Sequence, residues 1–413
     1  MVKFPFFFDE CFNDEGLRGT SLIENRTGGS GSSFDSYVGV FWGNSEKNIP
    51  QVIELIQSVH NKNTLNGQSE IKSSRVGQKK YIHGLASFSS KDIEFYSDVF
   101  RCVLEPKHRP RLHIAAPSKM EIFWKRVFPP GVLHSDMYEG FIYSLTKISY
   151  NYELREVFSY IESAAKNDTP CAGEKLIEFL STDLKEISRY VKNAPRKEQE
   201  VGVIQTLCEL LPMYKWHVRC IEKSTMPYII PFDGLMLFLR EISVNPKRAV
   251  LYIDNYGKTV LTAQKYGFRD VHAVDSKQCS GIWLSDWLAG FIGRIMRAMN
   301  DDEGVSDITL SELRENCEDC DIESLRILSP SWFEFGHRAE VFDLYLQAAN
   351  TYLQPHYWTF LHTAYCDHIV QFTSLLMYFL RYESYEDYKK VGPESHAQMF
   401  NELLIMRLKK AMP

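Results

Sequence analysis

Apolar and polar residues follow two different periods along this chain, and the change from one to the other divides it. Short apolar runs bounded by turn residues read as strands: FPFFF at 4–8, YVGVFWG at 37–43, LHIAA at 112–116, AVLYID at 249–254 and VHAVD at 271–275. The second is placed to pair antiparallel with the first. Apolar spacing of three and four predicts helices over 50–60, 91–104 and 232–242, and a further helix in which Trp283, Trp287, Phe291 and Ile295 make one apolar face. From about 137 to 215, and again from 337 to 410, the pattern is helical throughout, with the breakers NDTPCAG and NAPRK between helices of the first block. Helical text that interrupts strand-bearing text predicts an α/β protein with a mixed-sheet core in two parts, 1–136 and 226–300. Residues 137–225 are then a helical insertion, and 301–413 a C-terminal helical domain that opens with an acidic, loop-like stretch to about 331.

Composition narrows this picture without changing it. At 413 residues the chain is longer than one hydrophobic core usually covers, and its 44% hydrophobic content is that of an ordinary globular protein. A net charge of -6 excludes a globally basic nucleic-acid coat and leaves room only for a local basic groove. The most apolar stretch, FTSLLMYFL at 372–380, is too short to span a bilayer and runs into Arg381, so no membrane segment is expected. The opening MVKFPFFFDE ends its apolar run in two acids with no cleavage site, and reads as a strand rather than a signal peptide. Nine cysteines without a framework suit reduced thiols and a cytoplasmic location.

Chemistry concentrates at strand ends. Asp9, Asp254 and Asp275 each close an apolar run, where side chains become accessible, and Asp286 lies beside the apolar face of the following helix. Carboxylates without histidine or thiolate suit hard divalent cations. Elsewhere the signals are weaker. Glu70 sits among Lys72, Arg75, Lys79 and Lys80, a segment that on residue types alone reads as a solvated charged loop. Lys107, His108, Arg109 and Arg111 form a basic turn suited to phosphates or to plain solvent. The Gly/Ser-rich stretch at 20–33 lacks the Lys-Ser/Thr ending of a phosphate cradle. Cys317 and Cys320 have zinc-knuckle spacing but no second pair. His362, Cys366, Asp367 and His368, like the aromatic run at 356–360, read as packing. AVLYIDNYG mimics a dinucleotide-binding turn but lacks G-x-G-x-x-G.

Taken in order, FFFDE (6–10), EIKSS (70–74), YID (252–254), VDSK (274–277) and LSDWLAG (284–290) resemble the bacterial family called domain of unknown function 3800, whose members are similar to ribonuclease H-fold proteins. The resemblance covers 1–120 and 226–297. It departs at Asp9-Glu10-Cys11-Phe12, where the family has Asp-Glu-Ser-Gly, and at Ser285, where Ala is usual. It implies a ribonuclease H-like core in which Asp9, Glu70, Asp254 and Asp286 converge as Mg²⁺ or Mn²⁺ ligands, with Asp275 beside them and Lys72 and Lys277 facing phosphate. Of these, Glu70 rests mainly on the resemblance. The expected activity is two-metal hydrolysis of phosphodiesters in DNA or RNA, in a toxin or phage-defence effector controlled by a partner protein, with self-association through the C-terminal helices as a further expectation. The competing expectation is a catalytically inactive scaffold acting through protein contacts.

Overall fold

A computed structural model describes residues 2–12, 36–64, 70–152, 154–167, 172–192, 198–218, 229–254, 257–302, 328–353 and 364–411. Five strands form one mixed sheet in the order β3-β2-β1-β4-β5: β1 Phe4–Cys11, β2 Val38–Gly43, β3 Arg111–Ala115, β4 Ala249–Asp254 and β5 Asp270–Val274. β1 and β2 pair antiparallel, as expected from the sequence, β3 joins β2 antiparallel, and β4 joins β1 and β5 joins β4 in parallel. The helices are α1 Ile49–Asn63, α2 Ser90–Leu104, α3 Lys119–Val127, α4 Ser135–Asn151, α5 Arg155–Lys166, α6 Gly173–Val191, α7 Glu198–Leu210, α8 Ile229–Glu241, α9 Gly257–Lys265, α10 Ser280–Asn300, α11 Ala339–Tyr352, α12 Asp367–Phe379 and α13 Pro393–Ala411. This is a mixed α/β protein. Among the described residues, no helix is long and apolar enough to cross a membrane.

Strand alternation sorts the aromatic residues of β1 to two sides of the sheet. Phe6 and Phe8 pack with Phe41, Leu251 and Ile253 and with Phe232 and Leu235 of α8. Phe7 points the other way, stacked between Trp42 of β2 and Tyr252 of β4 with ring centroids 4.6 and 4.9 Å away. That second face receives α10. The helix packs on β1 and β2, with α1, α2 and α12 around it. Sequence spacing predicts one apolar face on this helix, yet almost every residue from Gly281 to Met299 is buried, because the C-terminal helices cover the side that the spacing leaves to solvent. The side chains of α11, α12 and α13 belong to the same apolar cluster as those of α10, while α3 to α7 enclose a second cluster with Ala364 and Tyr365.

Polar side chains fix the height and rotation of α10. Ser285 donates to Phe7 O (3.0 Å), the Trp42 indole donates to Gly281 O (2.6 Å), and the Trp283 indole donates to Ser276 O (2.6 Å). A Cβ on Gly281 would collide with the Phe7 ring, so glycine there sets how closely helix and strand approach. Within the second cluster the buried carboxylate of Glu121 of α3 accepts the backbone N–H groups of Ala364 (2.6 Å) and Tyr365 (3.0 Å) and pairs with Lys125 (2.9 Å).

Candidate functional site

The register of β1 on β4 aligns Phe8 with Ile253, so the next residues, Asp9 and Asp254, fall side by side on adjacent parallel strands. Both lie two residues beyond a member of the stacked Phe7–Tyr252 pair, and therefore on the face that meets α10. α10 presents Asp286 to that face, and the negative charges of Asp286 and Asp254 both act on Asp9. One detail differs from the sequence expectation. Asp9 does not end its strand: β1 continues through Glu10 and Cys11, because β2 extends the pairing to Cys11 opposite Val38. The acid is held inside a ladder rather than at a loop.

Burial and mutual repulsion raise the proton affinity of this group. Asp9 keeps a solvent-facing edge but is largely enclosed, and burial, Asp286, Glu10 and Asp254 together hold its carboxyl well above the ordinary carboxylate value, against one hydrogen bond from Glu10 N (2.9 Å). Asp286 is buried. Burial raises its carboxyl too, while the Ser73 backbone N–H (2.6 Å) and hydroxyl (2.8 Å) donate to its two oxygens and Lys72 and Arg294 add positive charge. Burial pushes the neighbouring Cys11 thiol up to about 12, and Asp286 and Asp9 act in the same direction, so it stays protonated at neutral pH.

The segment around Glu70 is not the solvated loop that its residue types suggest. The Glu70 side chain is only 7% exposed, and it pairs with Lys72 Nζ at 2.7 Å. Non-local bonds pin the segment: the Trp287 indole donates to Ile71 O (2.8 Å), and Ser73 grips Asp286. Burial works against the charge on Lys72, but its bond to Glu70 and the nearby Asp286 and Asp9 outweigh this and raise its proton affinity. Its ammonium also reaches Ser276 Oγ at 3.4 Å, bridging to the loop before α10.

The remaining expected site residues lie at the exposed end of β5, whose Val274 pairs with Asp254. Asp275 follows β5, where its side chain accepts the Lys277 backbone N–H (3.0 Å) and caps the short turn Ser276–Gln278; both Asp275 and Lys277 are exposed. The basic turn at Lys107–Arg111 lies at the opposite end of the sheet from the acids, since Arg111 pairs with Gly43, which in turn faces Phe6. Residues 20–33, Cys317, Cys320, the run 356–360 and His362 lie outside the described residues, whereas Cys366 caps α12 and Asp367 accepts from Lys147 (3.2 Å).

Oxygen-only donors match a hard divalent cation in kind. In arrangement the match is incomplete: among the described residues, no three His, Cys, Asp or Glu side chains are grouped closely enough to hold a metal ion. The bonds above give the reason, because Asp286 is turned to Ser73 and Glu70 to Lys72. Sequence reasoning passed over Ser73, Ser276 and Arg294, whose partners are far away in the chain; Ser73, inside the EIKSS motif, and Ser276, inside VDSK, carried some signal, and Arg294 carried none.

Fold and site together define a mixed α/β protein whose central strand and central helix carry a group of carboxylates flanked by the half-exposed Lys72 and the buried Arg294. No family model matches the chain, and no curated protein and no solved structure matches it.

Proposed function

We propose that this chain is a metal-dependent nuclease with a ribonuclease H-like core, similar to the family its motifs resemble. The observation that carries this reading is the placement of Asp9 and Asp254 side by side on adjacent strands, with the charge of Asp286 also acting on Asp9, a repulsion that a cation would offset. The strand order β3-β2-β1-β4-β5, with three antiparallel strands followed by two parallel ones, supports the ribonuclease H-like assignment. A bound Mg²⁺ or Mn²⁺ would supply a polarised water and charge stabilisation for phosphodiester hydrolysis. Asp9, Asp254 and Asp286 are the residues that would hold it, with Glu70 joining once released from Lys72. Ser73 orients Asp286, Trp287 holds the Glu70 segment against α10, and Lys72 is the cation nearest to an incoming phosphate. DNA or RNA is the substrate, and a regulatory protein partner belongs to the same proposal.

Incubating the protein with labelled single- and double-stranded DNA and RNA in Mg²⁺ or Mn²⁺, beside Asp254→Asn, tests this. Metal-dependent cleavage lost in the variant supports the reading, and cleavage unchanged in the variant overturns it. A second reading, a catalytically inactive scaffold, draws on the internal pairing of Glu70 with Lys72 and of Asp286 with Ser73, which satisfies these acids without any metal. Calorimetry that finds no Mg²⁺ or Mn²⁺ binding, together with a stoichiometric protein partner, would select it.

A further inference from the structure

Asp286, Gly290 and Arg294 follow one another at intervals of four along α10 and so share one line of its surface. Long side chains on a helix lean back toward its N-terminus, and Gly290 leaves the room for this one to do so. A Cβ on Gly290 would collide with Arg294 Nη1 and with Cβ and Oγ of Ser73, so the guanidinium and the serine hydroxyl share the space over that glycine. The same hydroxyl donates to Asp286 Oδ1 at 2.8 Å. Arg294 is thus lodged next to the group that grips the acid.

The arginine is 8% exposed, surrounded by Cys11, Tyr96, Tyr81 and Asp286, and its Nη1 has no hydrogen-bond acceptor. A buried donor without an acceptor is a cost that an aliphatic side chain filling the same slot would not carry. What arginine adds there is charge. Two cations act on Asp286, and they differ: Lys72 is half exposed and committed to Glu70, whereas Arg294 is buried and Asp286 acts on it.

The structure assigns Arg294 as a positioning residue for Asp286: lodged in the slot opened by Gly290, it supplies the fixed positive charge against which the Asp286 carboxylate and the Ser73 hydroxyl are oriented. It touches no substrate. The consequence for metal binding rests on the nuclease reading; the coupling to Asp286 does not.

A double-mutant cycle on the full chain separates the two. Urea midpoints in EDTA are measured for the unmodified protein, Arg294→Met, Asp286→Asn and the double variant. Arg294→Met is expected to lose at least twice as much stability with Asp286 present as in the Asp286→Asn background, and Arg294→Lys to recover at least half of that loss. Equal losses in both backgrounds would mean that Arg294 only packs, and would overturn the assignment. Should Arg294→Met fail to fold, Arg294→Lys against Arg294→Gln gives the same comparison. Mn²⁺ calorimetry then reads the deeper claim: Arg294→Met is expected to weaken binding at least tenfold and Arg294→Lys to stay close to the unmodified protein. If the unmodified protein binds no Mn²⁺, the nuclease reading fails while the cycle still decides the role of Arg294; unweakened Mn²⁺ binding by Arg294→Met defeats the functional consequence and leaves the nuclease reading standing.

Discussion

Asp9 and Asp254 stand next to each other on parallel strands, on the one face of the sheet that a buried helix covers. Asp9 feels the charges of both Asp254 and Asp286. This relationship makes the stability of the protein depend on pH in a definite direction.

Asp9 and Asp286 both hold their protons above the ordinary carboxylate value. The folded protein therefore binds these protons more tightly than the unfolded chain does. The resulting stability is fully present below about pH 4, the range of an unperturbed aspartate, and is lost as pH rises through the raised values. In EDTA, urea midpoints of the unmodified protein should fall between pH 4 and pH 8, and Asp9→Asn should make that fall shallower. Equal slopes for the two proteins would show that Asp9 bears no such strain.

Ser73→Ala removes the hydroxyl that donates to Asp286 Oδ1 and leaves only the backbone N–H in place. A hydrogen bond to a charged group is worth about 1.5–3 kcal/mol. Chemical denaturation should show a loss in that range, and a loss below about 0.5 kcal/mol would mean that water replaces the hydroxyl without cost.

Gly281→Ala pushes a methyl group into the Phe7 ring and strains the Trp42 bond to Gly281 O. Overpacking of this kind costs roughly 1–3 kcal/mol. Because the shift lifts α10 from β1, Asp286 should move away from Asp9. A thermal scan unchanged from the parent would contradict the close helix-to-strand approach.

Asp275 caps its own turn through the Lys277 backbone N–H. Asp275→Ala should cost no more than about 1 kcal/mol, the worth of a capping bond, and should leave any divalent-cation-dependent cleavage within a factor of about three, since less than 1 kcal/mol separates such rates. A loss beyond tenfold would put Asp275 among the working residues after all.

Local pattern carried the strands and the helix of the site, and non-local contacts decided the rest. The runs ending at Asp9 and Asp254 were visible because buried strands are apolar, and β2 was visible as the antiparallel partner of β1. The reach of β1 past Asp9 was not, since it depends on what β2 offers opposite. Glu70 looked solvated because its neighbours are cationic; its segment is pinned by Trp287, over two hundred residues later, whose indole donates to Ile71 O. Arg294 gave no signal, as a basic residue at helical spacing normally marks a solvated face, and here the cover comes from Cys11, Tyr81 and Tyr96, all far away in the chain. The basic turn at 107–111 was legible as charge but not as distance, and the register puts it at the far end of the sheet.

The burial of α10 also fixes when the acids can meet. During synthesis Asp9, Asp254 and Asp286 all emerge before residues 339–411, yet the helix that carries Asp286 shares its apolar cluster with side chains from that later stretch. A nascent chain holds every acid of the group while one flank of their helix is still bare, so a correctly assembled site has to wait for the last helices. Delay of this kind works as a folding checkpoint, and it ties whatever this group of carboxylates does to a finished molecule.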